Sequence, residues 1–180
     1  MSAPIPARAQ IARIAGIVAI VACVAALAWY LGSPLFIRTT VNEAFPTPGP
    51  SVVVGNPASP GTPTATTGAA TPTTLASGQL GYVDALHNGT GTVLLVRTGD
   101  AVTLRFENVA ITNAPDVHVY LSRDTGGKWS EATSVYLGPL RATNGSFNYT
   151  VPPAADLSLA RSVVVWCRQF SVLVTWSDLR

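Results

Sequence analysis

Residues 162–176 read Ser-Val-Val-Val-Trp-Cys-Arg-Gln-Phe-Ser-Val-Leu-Val-Thr-Trp. This stretch is β-branched and aromatic nearly throughout, a composition typical of strands. Residues 163–166 are apolar at every position, which predicts a central strand packed on both of its faces. The stretch therefore predicts two strands at the heart of an all-β domain.

Further strands are predicted upstream of this pair. Residues 92–96 and 102–106 flank Thr98-Gly99-Asp100, a turn signal, and so predict a hairpin. Residues 146–151 follow Asn144-Gly145, the dipeptide most typical of a short hairpin turn. About seven or eight short strands without a long amphipathic helix predict a sandwich or a barrel over residues 79–180.

Residues 116–121 alternate in polarity, as a half-buried strand does. One face of this strand is apolar, and the other carries Asp116, His118 and Tyr120. Successive strand side chains project to opposite sides, so these three share a face. They are candidates to act together at a site.

The N-terminal segment predicts a membrane anchor. Residues 14–37 carry no charge, and ~20 helical residues cross the ~30 Å hydrocarbon core of a bilayer. Arg8 and Arg13 precede this run, and only Arg38, with an acidic residue nearby, follows it. The positive-inside bias then predicts a single-pass helix in the cell membrane, with residues 1–13 cytoplasmic and the C-terminal domain extracytoplasmic.

A cleaved signal peptide is the alternative to this signal-anchor. Ala26-Leu27-Ala28 has the small-x-small form of a cleavage site after an apolar region. The apolar run continues past Ala28, which favours an uncleaved anchor. Cleavage near Ala28 would instead release a secreted protein, so both alternatives export the domain and only the tether differs.

Residues 38–78 separate the anchor from the predicted domain. Of the 33 residues from Pro46 to Gly78, 28 are Pro, Thr, Gly, Ala or Ser. Such a segment has few apolar side chains to offset its ordering entropy, which predicts a disordered linker. Extended at ~3.1 Å per residue, the linker would hold the domain up to roughly 100 Å from the membrane.

Charge and motifs exclude several classes of function. Residues 79–180 contain eight basic and eight acidic residues, so the domain offers no basic footprint for nucleic acid. The chain has no nucleophile elbow, phosphate-binding glycine loop, zinc-protease helix or CxxC motif, which disfavours a hydrolase and leaves a redox protein open. Glycosylation sequons occur at Asn88, Asn144 and Asn148, and the sequence does not decide their use.

The two cysteines are an unusual feature of an exported chain. Cys23 lies in the predicted span and Cys167 in the domain, so Cys167 is a lone thiol where thiols usually pair. Its apolar neighbours favour a buried core residue, whereas the adjacent Arg168 favours a reactive thiol. The two histidines, His87 and His118, lack metal-ligand spacing with it, and whether a haem or a metal binds stays open.

Five blocks of the domain, taken in order, resemble the DM13 family. Residues 162–172 are similar to its SVVIWCxxFxVxF signature, whose cysteine falls on Cys167. The other blocks are Gly81-Tyr82-Val83 with His87 and Gly91-Thr92-Val93 (G-x-F…H…G-x-V), residues 114–122 (GPDLxVYLS), residues 137–141 (LGxLKG) and residues 145–152 (GxQxYxIP). Ala114 departs from the usual Gly, and residues 174–177 replace the usual Phe-Gly-x-Ala.

This resemblance implies an antiparallel β-sandwich and a redox role centred on the cysteine. We therefore expect an electron-transfer module with Cys167 as its centre, supported by Asp116, His118 and Tyr120, and an electron-transfer or cell-surface protein as partner. The alternative is a non-catalytic binding or adhesion module in which Cys167 is a core residue. A fully buried Cys167 sulfur favours binding, and a cleft shared with His118 or Asp116 favours redox chemistry.

Overall fold

The computed structural model describes residues 7–47 and 70–180 of the chain. Within them, one helix, α1 (Ala7–Phe36), precedes nine strands. The strands are β1 (Thr40–Asn42), β2 (Thr73–Gln79), β3 (Gly89–Thr98), β4 (Ala101–Ile111), β5 (Val117–Ser122), β6 (Val135–Pro139), β7 (Asn144–Thr150), β8 (Ser162–Cys167) and β9 (Val172–Asp178). A five-stranded sheet in the order β1-β7-β4-β3-β2 packs on a four-stranded sheet in the order β6-β5-β8-β9. The predicted β-sandwich is confirmed.

The predicted hairpin and the predicted central strand are both present. Strands β3 and β4 pair antiparallel around the Gly99-Asp100 turn. Strand β8 lies between β5 and β9, and Val163, Val164 and Val165 are fully buried within it. Full burial of a valine side chain stabilises the fold by about 1.5–3 kcal/mol. The continuous apolar run therefore marks the strand that is covered on both faces.

The hairpin turn predicted at Asn144-Gly145 is wrong. Both residues belong to β7, where they pair in parallel with Thr40 and Val41 of β1. Gly145 has φ +102°, and a side chain there would collide with the backbone carbonyl of Val41. The glycine is needed for the close approach of β1 rather than for a turn.

The sandwich begins directly after the helix. Only residues 37–39 separate α1 from β1, and β1 and β2 lie on opposite edges of the first sheet. Strand β1 and all of β2 except its last residue, Gln79, fall within residues 38–78, which the sequence assigned to the linker. Their pairing is through the backbone, which leaves little side-chain signal. Residues 48–69 of the predicted linker lie outside the described residues, and the segment that contains them joins two strands of one sheet rather than the helix to the domain.

Helix α1 contains one stretch, Arg13–Ser33, that is long and apolar enough to cross a membrane. Its side chains make almost no contact with the sandwich, since none of that stretch is buried. Cys23 lies on this exposed surface. Such a helix is compatible with either the predicted anchor or the predicted signal sequence.

The segment that follows α1 is held by side chains as well as by β pairing. The Thr39 amide donates to the Thr143 hydroxyl at 3.0 Å, and that hydroxyl donates to the Thr39 carbonyl at 3.1 Å. Glu43 accepts from the Asn148 amide at 2.8 Å and forms an ion pair with Arg141 at 2.7 Å. The nearly buried Arg105 donates to the Glu43 carbonyl at 3.3 Å. The segment that follows α1, residues 37–47, is therefore part of the folded domain.

Replacing Glu43 with alanine is expected to lower the free energy of unfolding by about 1 kcal/mol. The change removes a hydrogen bond to a charged group, which contributes about 1.5–3 kcal/mol when it is buried. The Arg141 side chain is 48% exposed, so water screens its charge and reduces the contribution of the ion pair. Urea unfolding of the full chain in detergent measures the loss. Glu43→Gln is the matched control: it keeps an acceptor for Asn148 and should lose less, and equal losses in the two variants would contradict the role of the amide hydrogen bond.

Candidate functional site

Strand β5 directs two polar side chains to the outer face of the four-stranded sheet. His118 is 9% exposed and Tyr120 is fully buried, although neither points into the core between the sheets. The connection between β5 and β6 folds back over this face and brings the Trp129 ring to 4.4 Å from the Tyr120 ring. We call this covered surface, which includes Asp116, His118, Tyr120, Trp129, Tyr136, Trp166 and Arg168, the aromatic face.

Three side chains of the aromatic face form a hydrogen-bonded chain. His118 Nδ1 lies 2.9 Å from the Tyr136 hydroxyl, and His118 Nε2 lies 2.6 Å from Asp116 Oδ1. A carboxylate only accepts, so Nε2 carries the hydrogen and donates to Asp116. In the neutral imidazole Nδ1 is then an acceptor, and the Tyr136 hydroxyl donates to it. The hydroxyl proton of Tyr136 is therefore directed to His118 Nδ1, which can act as a base.

Four rings continue from this chain across the sheet. The ring centroids of Tyr136 and Tyr120 are 5.3 Å apart, those of Tyr120 and Trp129 are 4.4 Å apart, and those of Trp129 and Trp166 are 5.0 Å apart. Two of these distances lie within the 4.5–7 Å range of aromatic contact, and the Tyr120–Trp129 distance is just below its lower limit. Trp166 is the cross-strand partner of His118. The aromatic face is thus a continuous row of oxidisable rings.

Arg168 supplies the positive charge of the aromatic face. Its Nε donates to the Tyr120 hydroxyl at 2.7 Å, and Nη2 donates to Glu131 at 3.0 Å. The guanidinium carbon lies 4.7 Å from the centre of the Tyr136 ring, within cation–π range. Burial raises the pKa of Tyr120, while the hydrogen bond from Arg168 opposes that rise. Tyr120 therefore keeps its proton at neutral pH.

Cys167 lies on the other side of the same strand. Its neighbour Trp166 belongs to the aromatic face, and alternation turns the Cys167 side chain into the core, across from Val117. The sulfur is fully buried, and Cys167 lines none of five cavities on the surface of the described residues. The structure therefore brings Asp116, His118 and Tyr120 together and leaves Cys167 apart from them.

A haem or a metal does not fit these residues. Both ring nitrogens of His118 are already hydrogen-bonded, and the Cys167 sulfur is enclosed among apolar side chains. Across residues 7–47 and 70–180, no group of three or more His, Cys, Asp or Glu side chains is arranged to hold a metal ion.

Sequence reasoning placed three of the seven residues of the aromatic face on it and missed the other four. Trp166 was within reach of the strand pattern, since it directly precedes Cys167 and so must face the other way. Trp129 and Tyr136 had no such signal, because they reach the face from a loop and an edge strand whose placement depends on tertiary packing. Arg168 stood out only through its position beside Cys167.

The architecture defines a class: a two-sheet β-sandwich, antiparallel except for the β1–β7 pair, that carries aromatic side chains on one outer face and follows an apolar helix. The family described as Electron transfer DM13 has a model that matches residues 82–177. This match covers more than half of the 180 residues, and the chain belongs to that family. Nothing among the curated proteins or the solved structures matches it.

Proposed function

We propose that the chain is a membrane-tethered, extracytoplasmic electron-transfer module whose one-electron chemistry takes place on the aromatic face. The observation that carries the proposal is the Asp116–His118–Tyr136 hydrogen-bonded chain joined to a continuous row of rings. Membership of the DM13 electron-transfer family supports it. The apolar stretch of α1 and the arginines before it support a helix that crosses the membrane with its N-terminus inside.

The proposed step is oxidation of Tyr136 by an external one-electron oxidant, such as a metal complex or a metalloprotein. The electron passes to the oxidant, the phenol O–H bond breaks, and the proton bonds to Nδ1 of His118. A neutral phenoxyl radical and an imidazolium result. Asp116 stabilises the imidazolium, because its carboxylate accepts the Nε2 hydrogen at 2.6 Å.

Arg168 favours a mechanism in which the loss of the electron and the transfer of the proton are coupled. Its guanidinium lies over the Tyr136 ring and therefore disfavours a ring that has lost an electron but kept its proton. Electron loss and proton transfer to His118 then occur together. Tyr120 and Trp129 provide neighbouring rings through which the radical can exchange an electron with Trp166.

In the full chain in detergent micelles, a tyrosyl radical is expected to form rapidly after photo-oxidation. Replacing Tyr136 with phenylalanine is expected to abolish this fast tyrosyl signal. The measurement is flash photolysis with a ruthenium polypyridyl complex as oxidant, followed by transient absorption of the radical. His118→Phe keeps the phenol but removes its base, so the signal should form roughly 10²-fold more slowly, the lower end of what a positioned base contributes.

Tyr82→Phe is the matched control for this measurement. Tyr82 is 67% exposed, and the described residues offer its hydroxyl no hydrogen-bonded base, so its loss should leave the fast signal unchanged. Equal signals in Tyr136→Phe and Tyr82→Phe would overturn the proposal for the aromatic face. Loss of the tyrosyl-radical signal in Cys167→Ser would instead identify Cys167 as the redox centre.

A binding or adhesion module is the second candidate, and one observation favours it. The Cys167 sulfur is fully buried and apart from His118, which is the arrangement expected of a core residue. In that case the exposed loops of the sandwich would hold the partner. A full chain that shows no fast radical on any ring, and that still binds a cell-surface protein, would support this function over electron transfer.

A further inference from the structure

Several loops meet at the end of the sandwich where α1 is attached. The Asn113 side-chain amide donates to the Ile37 carbonyl at 3.0 Å, and the Tyr30 hydroxyl lies 3.5 Å from the Gln169 side-chain oxygen. Arg38 and Asn88 line one cavity. The connections 82–88, 112–116 and 168–171 therefore all surround the end of the helix. We call this end of the sandwich the helix-proximal end.

Exposed apolar side chains concentrate at the helix-proximal end. Tyr82 is 67% exposed, Leu86 64%, Phe170 52% and Val83 36%. Toward the opposite end, the exposed large hydrophobic side chains are Leu75 at 41%, Phe45 at 37% and Leu159 at 37%, and they lie on three separate segments of the chain. Four such side chains on two loops at one end of the sandwich exceed the scattered exposure of an ordinary surface and indicate a contact with something apolar.

The loop that carries Tyr82 and Leu86 is held in a fixed shape. Asp84 Oδ1 accepts from the backbone amides of Leu86 and His87, both at 2.7 Å, and Asp84 Oδ2 lies 2.8 Å from His87 Nδ1. The His87 side chain is the main cause that lowers the pKa of Asp84. The one carboxylate of the loop is thus fully hydrogen-bonded, and the apolar side chains are presented by an ordered turn.

We infer that Tyr82, Val83, Leu86 and Phe170 insert into the interfacial layer of the bilayer that α1 crosses. The inference rests on the membrane tether of the proposed function. Trp29 and Tyr30 stand at the outer end of the apolar stretch, where aromatic rings mark the interface. Gln169 contacts Tyr30, so Phe170 lies at the same level. The bilayer is the occupant because the helix that enters it adjoins the same end of the sandwich as these loops.

This contact would fix the orientation of the domain. A single helix joined by three residues leaves the sandwich free to rotate, whereas two inserted loops add a second and third point of attachment. Asp116 and Arg168 adjoin these loops, so the Tyr136–His118 end of the aromatic face would lie close to the lipid headgroups. Partners would reach the aromatic face from the side, along the membrane.

Depth-dependent fluorescence quenching tests this surface on the full chain in phosphatidylcholine vesicles. In a Cys23→Ala background the buried Cys167 stays unlabelled, and a maleimide dye is attached at Leu86→Cys or at Phe170→Cys. Asp100→Cys, in the exposed β3–β4 turn at the opposite end, is the matched control. A nitroxide-bearing phosphatidylcholine should quench the dye severalfold more at positions 86 and 170 than at position 100.

Equal quenching at the three positions would overturn the inference. A dye attached at Val83→Cys provides a second measurement. Adding the substitutions Leu86→Asp and Phe170→Asp should reduce the quenching of this dye to the level seen at position 100. Unchanged quenching of the dye at position 83 would contradict insertion. Flotation separates failure of the tether from failure of this surface. A chain that does not float with the vesicles has lost the tether, whereas a floating chain with unquenched loops has lost only the loop contact.

Discussion

Replacing Cys167 with serine is expected to lower the free energy of unfolding by about 1–3 kcal/mol, the cost of enclosing an unpaired hydroxyl. The sulfur is fully buried in the core, across from Val117 on one neighbouring strand and Val172 on the other. Sulfur is a weak hydrogen-bonding atom and tolerates such surroundings, whereas a hydroxyl loses its water without gaining a partner. Denaturant unfolding of the full chain in detergent measures the difference.

The same variant should retain the fast oxidation of Tyr136. Cys167 and the aromatic face are on opposite sides of the sheet, so the substitution leaves the Tyr136–His118 pair in place. Cys23→Ser is the matched control, because that side chain is exposed on α1 and its change should affect neither stability nor oxidation. In the folded wild type a thiol reagent should likewise spare Cys167 until the sandwich unfolds.

The opposite result would identify Cys167 as the redox centre. If Cys167→Ser kept its stability but lost electron transfer, the fully buried thiol would have to act through transient opening of the sandwich. If it lost stability and kept electron transfer, Cys167 would be a core residue and the aromatic face would carry the chemistry. Measuring both properties on one sample separates the two interpretations.

The strand pattern predicted the architecture well where side chains differ between the two faces. Alternation in residues 116–121 and the apolar run in 163–166 marked β5 and β8, although β5 is buried on both faces rather than half-buried. It failed for β1, which has three residues and pairs mainly through its backbone. The dipeptide Asn144-Gly145 led to the wrong prediction of a turn. In the sequence, a glycine needed for the close approach of two strands cannot be distinguished from a glycine needed for a turn.

The candidate site was predicted only in part. The shared face of Asp116, His118 and Tyr120 followed from a period of two and is present. The grouping of these residues with Cys167 did not follow from any pattern, because it required the register of β5 on β8, which places His118 beside Trp166 instead. Residues contributed by a covering loop, such as Trp129, have no local signal at all.

Replacing Gly145 with alanine is expected to have the largest effect, a loss of about 3 kcal/mol or more. The φ of +102° alone costs a residue with a side chain about 1–3 kcal/mol. The new methyl group would also collide with the Val41 carbonyl, and its only relief is displacement of β1 from β7. The contacts of Glu43 with Arg141 and Asn148, two residues beyond Val41, would be lost with the strand.

Gly99→Ala separates the two causes. Gly99 also has a positive φ, +60°, but its nearest neighbour, Ala70, is 3.8 Å from an added methyl group, so this control reports the backbone cost without a collision. Limited proteolysis of the full chain should cleave within residues 37–47 in Gly145→Ala and leave that segment intact in Gly99→Ala. Equal protection in both variants would contradict the displacement of β1 by the added methyl group.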